Sequence, residues 1–248
     1  MTRSPSTKDP HPKGGAHLLD RGVTVVDLTR EIYQGMPIFP AHQRPFIMVN
    51  HEREDAPKLF GCAPFESHNL LISEHTGTHA DAIYEYDGDG PSMDQIRLEY
   101  YYGDACCLDV SHVRYPDNIT VSDLEEANEK AGSLIRPGDI VLLYTGHGDR
   151  TYPGQEYLVD YAGLNRESAE WLADRGVVNI GIDAVSIDQS DDMGLIAHAV
   201  CREHQIVNTE SLCNLEGLAG KRFYYWGLPL NIREGTGSPI RAIAVLSD

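Results

Sequence analysis

The chain has 248 residues, of which 41% are hydrophobic and 23% are charged, and its formal net charge is −18. These values are typical of a globular protein and exclude a disordered chain, a collagen and a disulfide-dense mini-protein. An acidic surface repels phosphates and anionic lipids, so the charge argues against nucleic acids and membrane surfaces as partners.

The N-terminus and the cysteines bear on domain organisation and location. Residues 1–17 combine Pro, Ser, Lys and Gly without hydrophobic periodicity, which predicts a flexible tail before a single domain over residues 18–248. Apolar runs are far shorter than the roughly 20 residues that a membrane-spanning helix needs, and no apolar stretch follows the charged N-terminus. The five cysteines form no CxxC pair, which favours reduced thiols and a cytoplasmic location.

From residue 23 onward, strand patterns alternate with helix patterns. Short apolar and β-branched runs predict strands at residues 23–28, 106–110, 140–144, 177–182, 223–226 and 241–246. Helices are predicted from a Thr120 cap to Gly132, from an Asn165 cap to Gly176, and over residues 195–204. The strand–helix–strand order indicates an α/β protein, and runs that are apolar throughout predict a mostly parallel central sheet covered on both faces.

A cluster of metal-ligand residue types follows the first predicted strand. His75 and His79 are four residues apart, and Asp81 follows two residues later. Two imidazoles and a carboxylate are the ligand types of catalytic zinc or manganese sites. The intervening Thr-Gly-Thr disfavours a helix, so we expect a turn that wraps a metal ion. Taken alone, this spacing is equally compatible with two polar residues that have ordinary hydrogen-bond partners.

The segment His75-Thr-Gly-Thr-His79-Ala-Asp81 resembles the HxGTHxD motif of the cyclase-like metal-dependent hydrolases, the family that includes kynurenine formamidase and isatin hydrolase. Further similar segments follow the family order: GMPIFP at 35–40, GIDAVSID at 181–188, NLE at 214–216 and GTGSPIRA at 235–242. The resemblance covers essentially residues 23–246. It implies a swivelling β/β/α fold, a small-molecule substrate and a homo-oligomer, either a dimer or a tetramer.

The resemblance also implies a set of metal ligands. His75, His79 and Asp81 match the primary ligands, while His198 and Glu210 match the ligands of a second ion in the binuclear zinc members. In a mononuclear manganese member, the region equivalent to His198 and Glu210 shapes the pocket instead. The cofactor implied is therefore Zn²⁺ or Mn²⁺, as one ion or two. The alternatives are a solvated helix residue at His198 and, at Glu210, a helix-start carboxylate beside Thr209.

One position departs from the family pattern. The family motif continues as HxGTHxDxPxH, and its last histidine acts as the acid and base. Here the matching residues are Asp81-Ala-Ile-Tyr-Glu85, so Glu85 stands where the catalytic histidine is expected. Glutamate is a competent general base when its surroundings tune its pKa. The alternative is a surface acid with no catalytic role.

The substrate-binding residues are predicted less directly. Phe39, Tyr84 and Trp226 are candidate walls for an aromatic substrate, although aromatic side chains more often belong to a core. His147 follows a predicted strand, and loops at the carboxyl ends of strands often line sites in α/β proteins.

The activity that the resemblance implies is hydrolysis, by metal-activated water, of a C–N amide or imide bond or a lactone bond in a small cyclic or aryl substrate. Two alternatives stay open: a polyketide-type cyclase that uses the metal to polarise a ketone, and a catalytically inactive metal-binding relative.

Overall fold

The computed structural model describes residues 22–247, and the predicted tail at residues 1–17 lies outside that range. Its strands are β1 (Val23–Asp27), β2 (Phe46–His51), β3 (Ser67–Leu71), β4 (His79–Asp81), β5 (Tyr102–Asp109), β6 (Ile140–Tyr144), β7 (Asn179–Ile182), β8 (Val207–Glu210), β9 (Arg222–Trp226), β10 (Gly237–Pro239) and β11 (Ile243–Ser247). The α-helices are α1 (Ala56–Phe60), α2 (Val121–Lys130), α3 (His147–Thr151), α4 (Arg166–Asp174) and α5 (Ile196–His204), and short 3₁₀ turns lie between them. Within residues 22–247, no helix is long and apolar enough to cross a bilayer.

Nine strands form one mixed sheet in the order β1-β11-β9-β5-β6-β7-β8-β4-β10, and β2 and β3 form a separate two-stranded sheet. The α/β class is confirmed, but the prediction of a mostly parallel sheet is wrong. Only the pairs β5–β6, β6–β7 and β7–β8 are parallel. Helices α2, α4 and α5 lie in the connections between these strands, and parallel pairing needs such crossovers. The other neighbours pair antiparallel.

The two faces of the central strands belong to two hydrophobic clusters. In β5, Cys106 and Leu108 pack with residues of α2, α4 and α5 on one face. Ala105 and Cys107 face the other side and share a cluster with Ala80 of β4. Successive strand residues point to opposite faces, which is why neighbouring residues of β5 belong to different clusters. Because Ala80 of β4 shares its cluster with residues of β5 and β9, the sheet must curl to bring β4 to this core. This curl brings the polar face of β4 to the wall of a cavity.

Most predicted elements are present. Thr120 and Asn165 cap α2 and α4 through capping boxes, as their sequences indicate. The predicted coverage on both faces fails for β1, because β1 is an edge strand and Val25 is 40% exposed. The predicted strands do not include β2, β3, β4, β8 and β10. Of these, β4 and β8 have three and four residues, respectively, which is too short for a periodic pattern.

Candidate metal centre

Strand alternation explains why β4 carries two candidate ligands. His79 and Asp81 are two residues apart and point to the same face, while Ala80 between them is fully buried in the core. In the neighbouring strand β8, Glu210 is paired with His79. Asn208 lies two residues before Glu210 and shares its face. The register of β4 and β8 therefore gathers two carboxylates, an imidazole and an amide at one point.

His75 reaches the same point from the turn that precedes β4. Its Nδ1 atom lies 2.7 Å from Asp81 Oδ1, and Asp81 Oδ1 lies 3.4 Å from His79 Nε2. Gly77 in this turn has a φ of +65°, a left-handed conformation that glycine adopts without strain. The segment is a turn followed by a short strand, so the expectation that Thr-Gly-Thr does not form a helix is confirmed.

The fourth and fifth candidate ligands come from α5 and β8. His198 of α5 places Nε2 at 3.3 Å from Glu210 Oε1 and at 3.7 Å from Asp81 Oδ2. Glu210 Oε2 lies 3.5 Å from His79 Nε2. Within residues 22–247, two overlapping triads, each with its ligand atoms within 4.8 Å of one another, could hold an ion: His75–His79–Asp81 and Asp81–His198–Glu210. Asp81 belongs to both triads, so it would be a ligand of an ion held by either one.

Each imidazole directs one ring nitrogen toward the cluster and has a polar partner on the other. His79 donates its Nδ1 hydrogen to the Gly77 carbonyl at 2.8 Å, and His198 donates its Nδ1 hydrogen to the Asp188 carboxylate. His75 Nε2 donates to Thr236 Oγ1, which in turn donates to Glu74. Such outer partners fix the tautomer and the ring orientation of a metal-binding histidine.

The electrostatics of the cluster favour a cation. Burial opposes the charge of Asp81, but His79 and His75 outweigh it and hold the pKa of Asp81 well below its usual range. Burial lowers the pKa of His75, yet the charge and hydrogen bond of Asp81 raise it to about 9. Burial lowers the pKa of His198, but its hydrogen bond to Asp188 and the neighbouring carboxylates of Asp81 and Glu210 raise it well above its usual range. The raised pKa values of His75 and His198 favour protons on these two rings in the absence of metal, and a divalent cation bound there would replace them.

Glu85 lies at the edge of this cluster, at the end of a 3₁₀ turn that directly follows β4. Its Oε1 atom is 3.4 Å from His75 Nε2, and its side chain is 20% exposed. The Oε2 atom is buried and has no hydrogen-bond partner. Burial and the negative charge of Asp81 raise the pKa of Glu85 to about 8. This carboxylate therefore faces the candidate ligands with one oxygen still free to bond.

A cavity of about 370 Å³ opens above the cluster and includes Glu85 in its wall. Among the predicted wall residues, Phe39 lines this cavity. Sequence reasoning missed His42, whose ring stacks on His75 with centroids 4.8 Å apart and planes at 17°. Burial and the nearby His75 lower the pKa of His42, which favours a neutral ring. Sequence reasoning also missed Tyr86, whose ring centroid lies 4.3 Å from that of His198.

Three predicted substrate-binding residues lie outside the cavity wall. Tyr84 packs against the hydrophobic cluster beneath the sheet. The ring of His147 lies between Tyr157 and Tyr161, and its Nε2 donates to the Tyr157 carbonyl at 2.9 Å. Trp226 stacks on Tyr102, with ring centroids 5.4 Å apart, and is 40% exposed. Tyr84, His147 and Trp226 therefore lie away from this cavity, and packing partners occupy their rings.

Gly237 of β10 explains part of the GTGSPIRA segment. A Cβ atom on Gly237 would lie 2.6 Å from Cε1 of His75, closer than atoms pack without displacement. We expect Gly237→Ala to push the His75 ring away and to lower metal affinity by about 10- to 100-fold, the range for residues that orient metal ligands. Metal titration of the wild type and of Gly237→Ala measures this loss of affinity. Gly217→Ala is the control, since a Cβ there meets nothing within 4 Å. An unchanged metal affinity in Gly237→Ala would show that this close contact does not position His75.

Comparison with known proteins places the chain in a family. A sequence profile described as "Putative cyclase" matches residues 26–189. A kynurenine formamidase of Bacillus cytotoxicus is 33% identical over 174 residues, which cover 70% of this chain and 77% of that protein. A kynurenine formamidase of Erythrobacter litoralis is 29% identical over 217 residues, covering 88% and 91%. The chain belongs to this cyclase family, as its HxGTHxD motif indicates.

A solved structure agrees with this assignment. Isatin hydrolase A from Ralstonia solanacearum superposes with a TM-score of 0.81 and is 26% identical, with 92% of this chain and 94% of that chain covered. The relatives confirm that the chain is an enzyme of the metal-dependent hydrolase class. A swivelling arrangement of the fold stays a prediction.

Proposed function

We propose that this enzyme hydrolyses a C–N amide or imide bond, or a lactone bond, of a small cyclic or aryl substrate. The observation that carries the proposal is the pair of metal-binding triads sharing Asp81 at the floor of the cavity, beside Glu85. His75, His79, Asp81, His198 and Glu210 would hold one or two divalent ions, and nitrogen and oxygen ligands suit Zn²⁺ and Mn²⁺ alike. Such an ion lowers the pKa of water and polarises a carbonyl when bound.

The protein's own groups then have distinct roles. Glu85 would accept the proton of the attacking water and return it to the leaving nitrogen or oxygen, because it lies in the cavity wall beside the cluster and its Oε2 atom has no hydrogen-bond partner. Asp188 orients His198, and Thr236 with Glu74 orients His75. Phe39 and other apolar residues of the wall receive the organic part of the substrate and exclude water.

The cavity favours hydrolysis over the two alternatives. A cavity of about 370 Å³ is near the lower end of ligand pockets, which suits a small cyclic or aryl substrate better than a multi-ring polyketide. An inactive relative that lost its proton carrier would have no need of a buried carboxylate at residue 85. Glu85 instead lies in the cavity wall with its side chain largely buried.

Chelation tests the proposal. Dialysis against a chelator should abolish hydrolysis of formanilide and isatin, which offer an aryl amide and a cyclic imide-like amide, and added Zn²⁺ or Mn²⁺ should restore it. Circular dichroism before and after dialysis checks that the fold persists. Full turnover by protein shown to be metal-free by elemental analysis would contradict the mechanism.

We also propose a homo-oligomer. The two-stranded sheet of β2 and β3 leaves apolar side chains exposed on both faces, with Phe46, Met48 and Leu71 on one and Val49 and Leu70 on the other. A two-stranded ribbon is marginal by itself, and exposed apolar surface of this kind is typical of contact surfaces. Light scattering should show a dimer or a tetramer. The double substitution Phe46→Ser and Leu70→Ser should weaken this assembly, whereas Leu98→Ser, elsewhere on the surface, should not. A monomer at micromolar concentration would contradict this proposal.

The cytoplasm remains the proposed location. All five cysteines are free thiols, and Cys106, Cys107 and Cys201 are buried. Free thiols persist in reducing compartments, which supports this location.

A further inference from the structure

Asn208 is a buried polar residue beside the candidate ligands, and the proposed mechanism does not use it. It lies on β8 two residues before Glu210, so both side chains share a face, and it is only 2% exposed. Its Nδ2 atom lies 2.5 Å from Asp81 Oδ2, 3.1 Å from His198 Nε2 and 3.3 Å from Glu210 Oε1. Asp81, His198 and Glu210 are the second of the two triads, so one amide group contacts every member of this second triad.

The partners of the Asn208 amide fix its orientation. An ionised carboxylate oxygen only accepts hydrogen bonds, whereas an amide nitrogen carries two hydrogens and an amide oxygen carries none. The two hydrogens of Nδ2 match Asp81 Oδ2 and Glu210 Oε1, and an amide oxygen at the same place would be repelled by both. Buried carboxylates that lack donors are costly. Asn208 therefore supports the second triad as a cation would, by turning positive hydrogens toward its oxygens.

A metal ion at the second triad would need the same space. A divalent cation such as Zn²⁺ lies about 2.0–2.2 Å from each nitrogen or oxygen ligand, and it binds the lone pairs toward which the amide hydrogens point. His198 Nε2 lies 3.3 Å from Glu210 Oε1 and 3.7 Å from Asp81 Oδ2, spacings that fit ligands around one small ion. The ion and the amide hydrogens therefore exclude each other, and Asn208 must turn away before the second triad can bind an ion.

The first triad, His75–His79–Asp81, uses the other oxygen of the shared carboxylate. Asp81 Oδ1 lies 2.7 Å from His75 Nδ1 and 3.4 Å from His79 Nε2, whereas Asn208 donates to Asp81 Oδ2. The amide therefore opposes an ion at the second triad and leaves the Oδ1 side of Asp81 to an ion at the first.

We propose that the Asn208 amide is a displaceable substitute for the second ion. It holds the second triad together while a single ion is bound, and an ion that enters this triad must displace it. The first triad then fills at a lower metal concentration than the second, and Asn208 sets the number of bound ions between those concentrations. This inference rests on the metal centre of the proposed function, but it makes no assumption about the substrate.

Zinc titration of metal-depleted protein tests the proposal. Calorimetry with Zn²⁺ should give two unequal binding steps for the wild type, and elemental analysis counts the bound ions. Asn208→Ala removes the competing hydrogens and should tighten the second step by about 10- to 100-fold, the effect of a hydrogen bond to a charged group. The first step should stay within about threefold of wild type, since the amide does not bond to Asp81 Oδ1. Asn208→Asp keeps the shape of the side chain and replaces the donors with acceptors, so it should tighten the second step at least as much.

Thermal unfolding gives an independent measurement and checks that the variants fold. Without metal, Asn208→Ala should have a lower Tm than wild type, because Asp81 and Glu210 lose a shared donor. Zn²⁺ should then raise the Tm of Asn208→Ala by more than that of wild type, because tighter binding stabilises the native state more. Asn179→Ala is the matched control and should leave both binding steps unchanged, since Asn179 is a buried amide of the neighbouring strand β7 that donates to the Tyr100 carbonyl.

Three results would overturn the proposal. A weaker second step in Asn208→Ala would make Asn208 a ligand that binds the ion through Oδ1. An unchanged second step would show that the amide does not compete, and an equal shift of both steps would make Asn208 a general support of Asp81. If the second step tightens but formanilide and isatin are not hydrolysed, this inference stands and the hydrolase function fails. If both are hydrolysed and the second step is unchanged, only this inference fails. Protein that binds no Zn²⁺ at either triad would refute the metal centre and this inference together.

Discussion

Asp81→Asn is expected to remove bound metal from both candidate triads at once. Asp81 is the residue shared by the two triads, and each of its oxygens faces a different histidine: Oδ1 faces His75 and Oδ2 faces His198. A neutral amide has the shape of the carboxylate but is a much poorer ligand for a divalent cation. Metal affinity should fall by more than about 100-fold, and hydrolysis should fall with it. Elemental analysis after equilibration with Zn²⁺ or Mn²⁺ measures the loss.

His198→Ala provides the contrast. His198 contributes to only one triad, so its loss should release one ion and leave the site of His75, His79 and Asp81 occupied. Asp174→Asn, at the exposed end of α4, is the control for the change of charge. If Asp81→Asn retains its full metal content, Asp81 is not a ligand. If wild type never binds more than one ion at saturating metal, His198 and Glu210 belong to the surroundings of a single ion.

Local patterns made part of this site predictable. The spacing of His75, His79 and Asp81 already indicates a metal site, because the turn and the two-residue period of β4 are local properties of the chain. The contribution of Glu210 depends on β8 lying beside β4 in the sheet order. That neighbour relation is set by the curl of the whole sheet, and no local pattern contains it. A resemblance to known proteins supplied the residue, and the cross-strand pair His79–Glu210 gives its physical reason.

The composition of the cavity wall was less predictable. Aromatic residue type suggested Tyr84 and Trp226, but both rings have protein partners that occupy them. Arg30 and His42 do line the cavity, yet each is an ordinary polar residue in a loop when the sequence is considered alone. Only the fold shows that the Arg30 side chain is buried against the rings of Tyr152 and Tyr157 and that His42 stacks on His75. Burial of a charged side chain is a tertiary property that no local pattern contains.

The sheet illustrates the same distinction. Runs such as residues 140–144 are apolar throughout and do become strands buried on both faces. The extension of that pattern to a mostly parallel sheet failed, because helical connections link only β5, β6, β7 and β8 in succession. The other neighbours in this sheet are not linked in succession by crossover helices, and they pair antiparallel. Strand composition reports burial, whereas strand direction depends on the connections.

Glu85→Gln is expected to lower kcat by about 10²–10⁴-fold, the usual contribution of a general base, while metal content stays near that of wild type. Glutamine keeps the size of the side chain and removes its basicity, so the 3₁₀ turn after β4 should be preserved. Burial and the charge of Asp81 raise the pKa of Glu85 to about 8, whereas a bound cation acts in the opposite direction. Because the base is the deprotonated form, wild-type kcat should rise with pH through the pKa of Glu85, and the glutamine variant should lose that dependence.

Two further variants and the metal content of Glu85→Gln decide the role of Glu85. Glu85→His should recover part of the lost kcat if proton transfer is the role, since imidazole is the group that the family pattern has at this position. Glu99→Gln is the control, because Glu99 lies in another 3₁₀ turn, is exposed and pairs with Arg97. A kcat within about threefold of wild type in Glu85→Gln would exclude an essential base, given the size of such effects. Loss of metal from the same variant would instead make Glu85 a ligand, because its Oε1 atom lies only 3.4 Å from His75 Nε2.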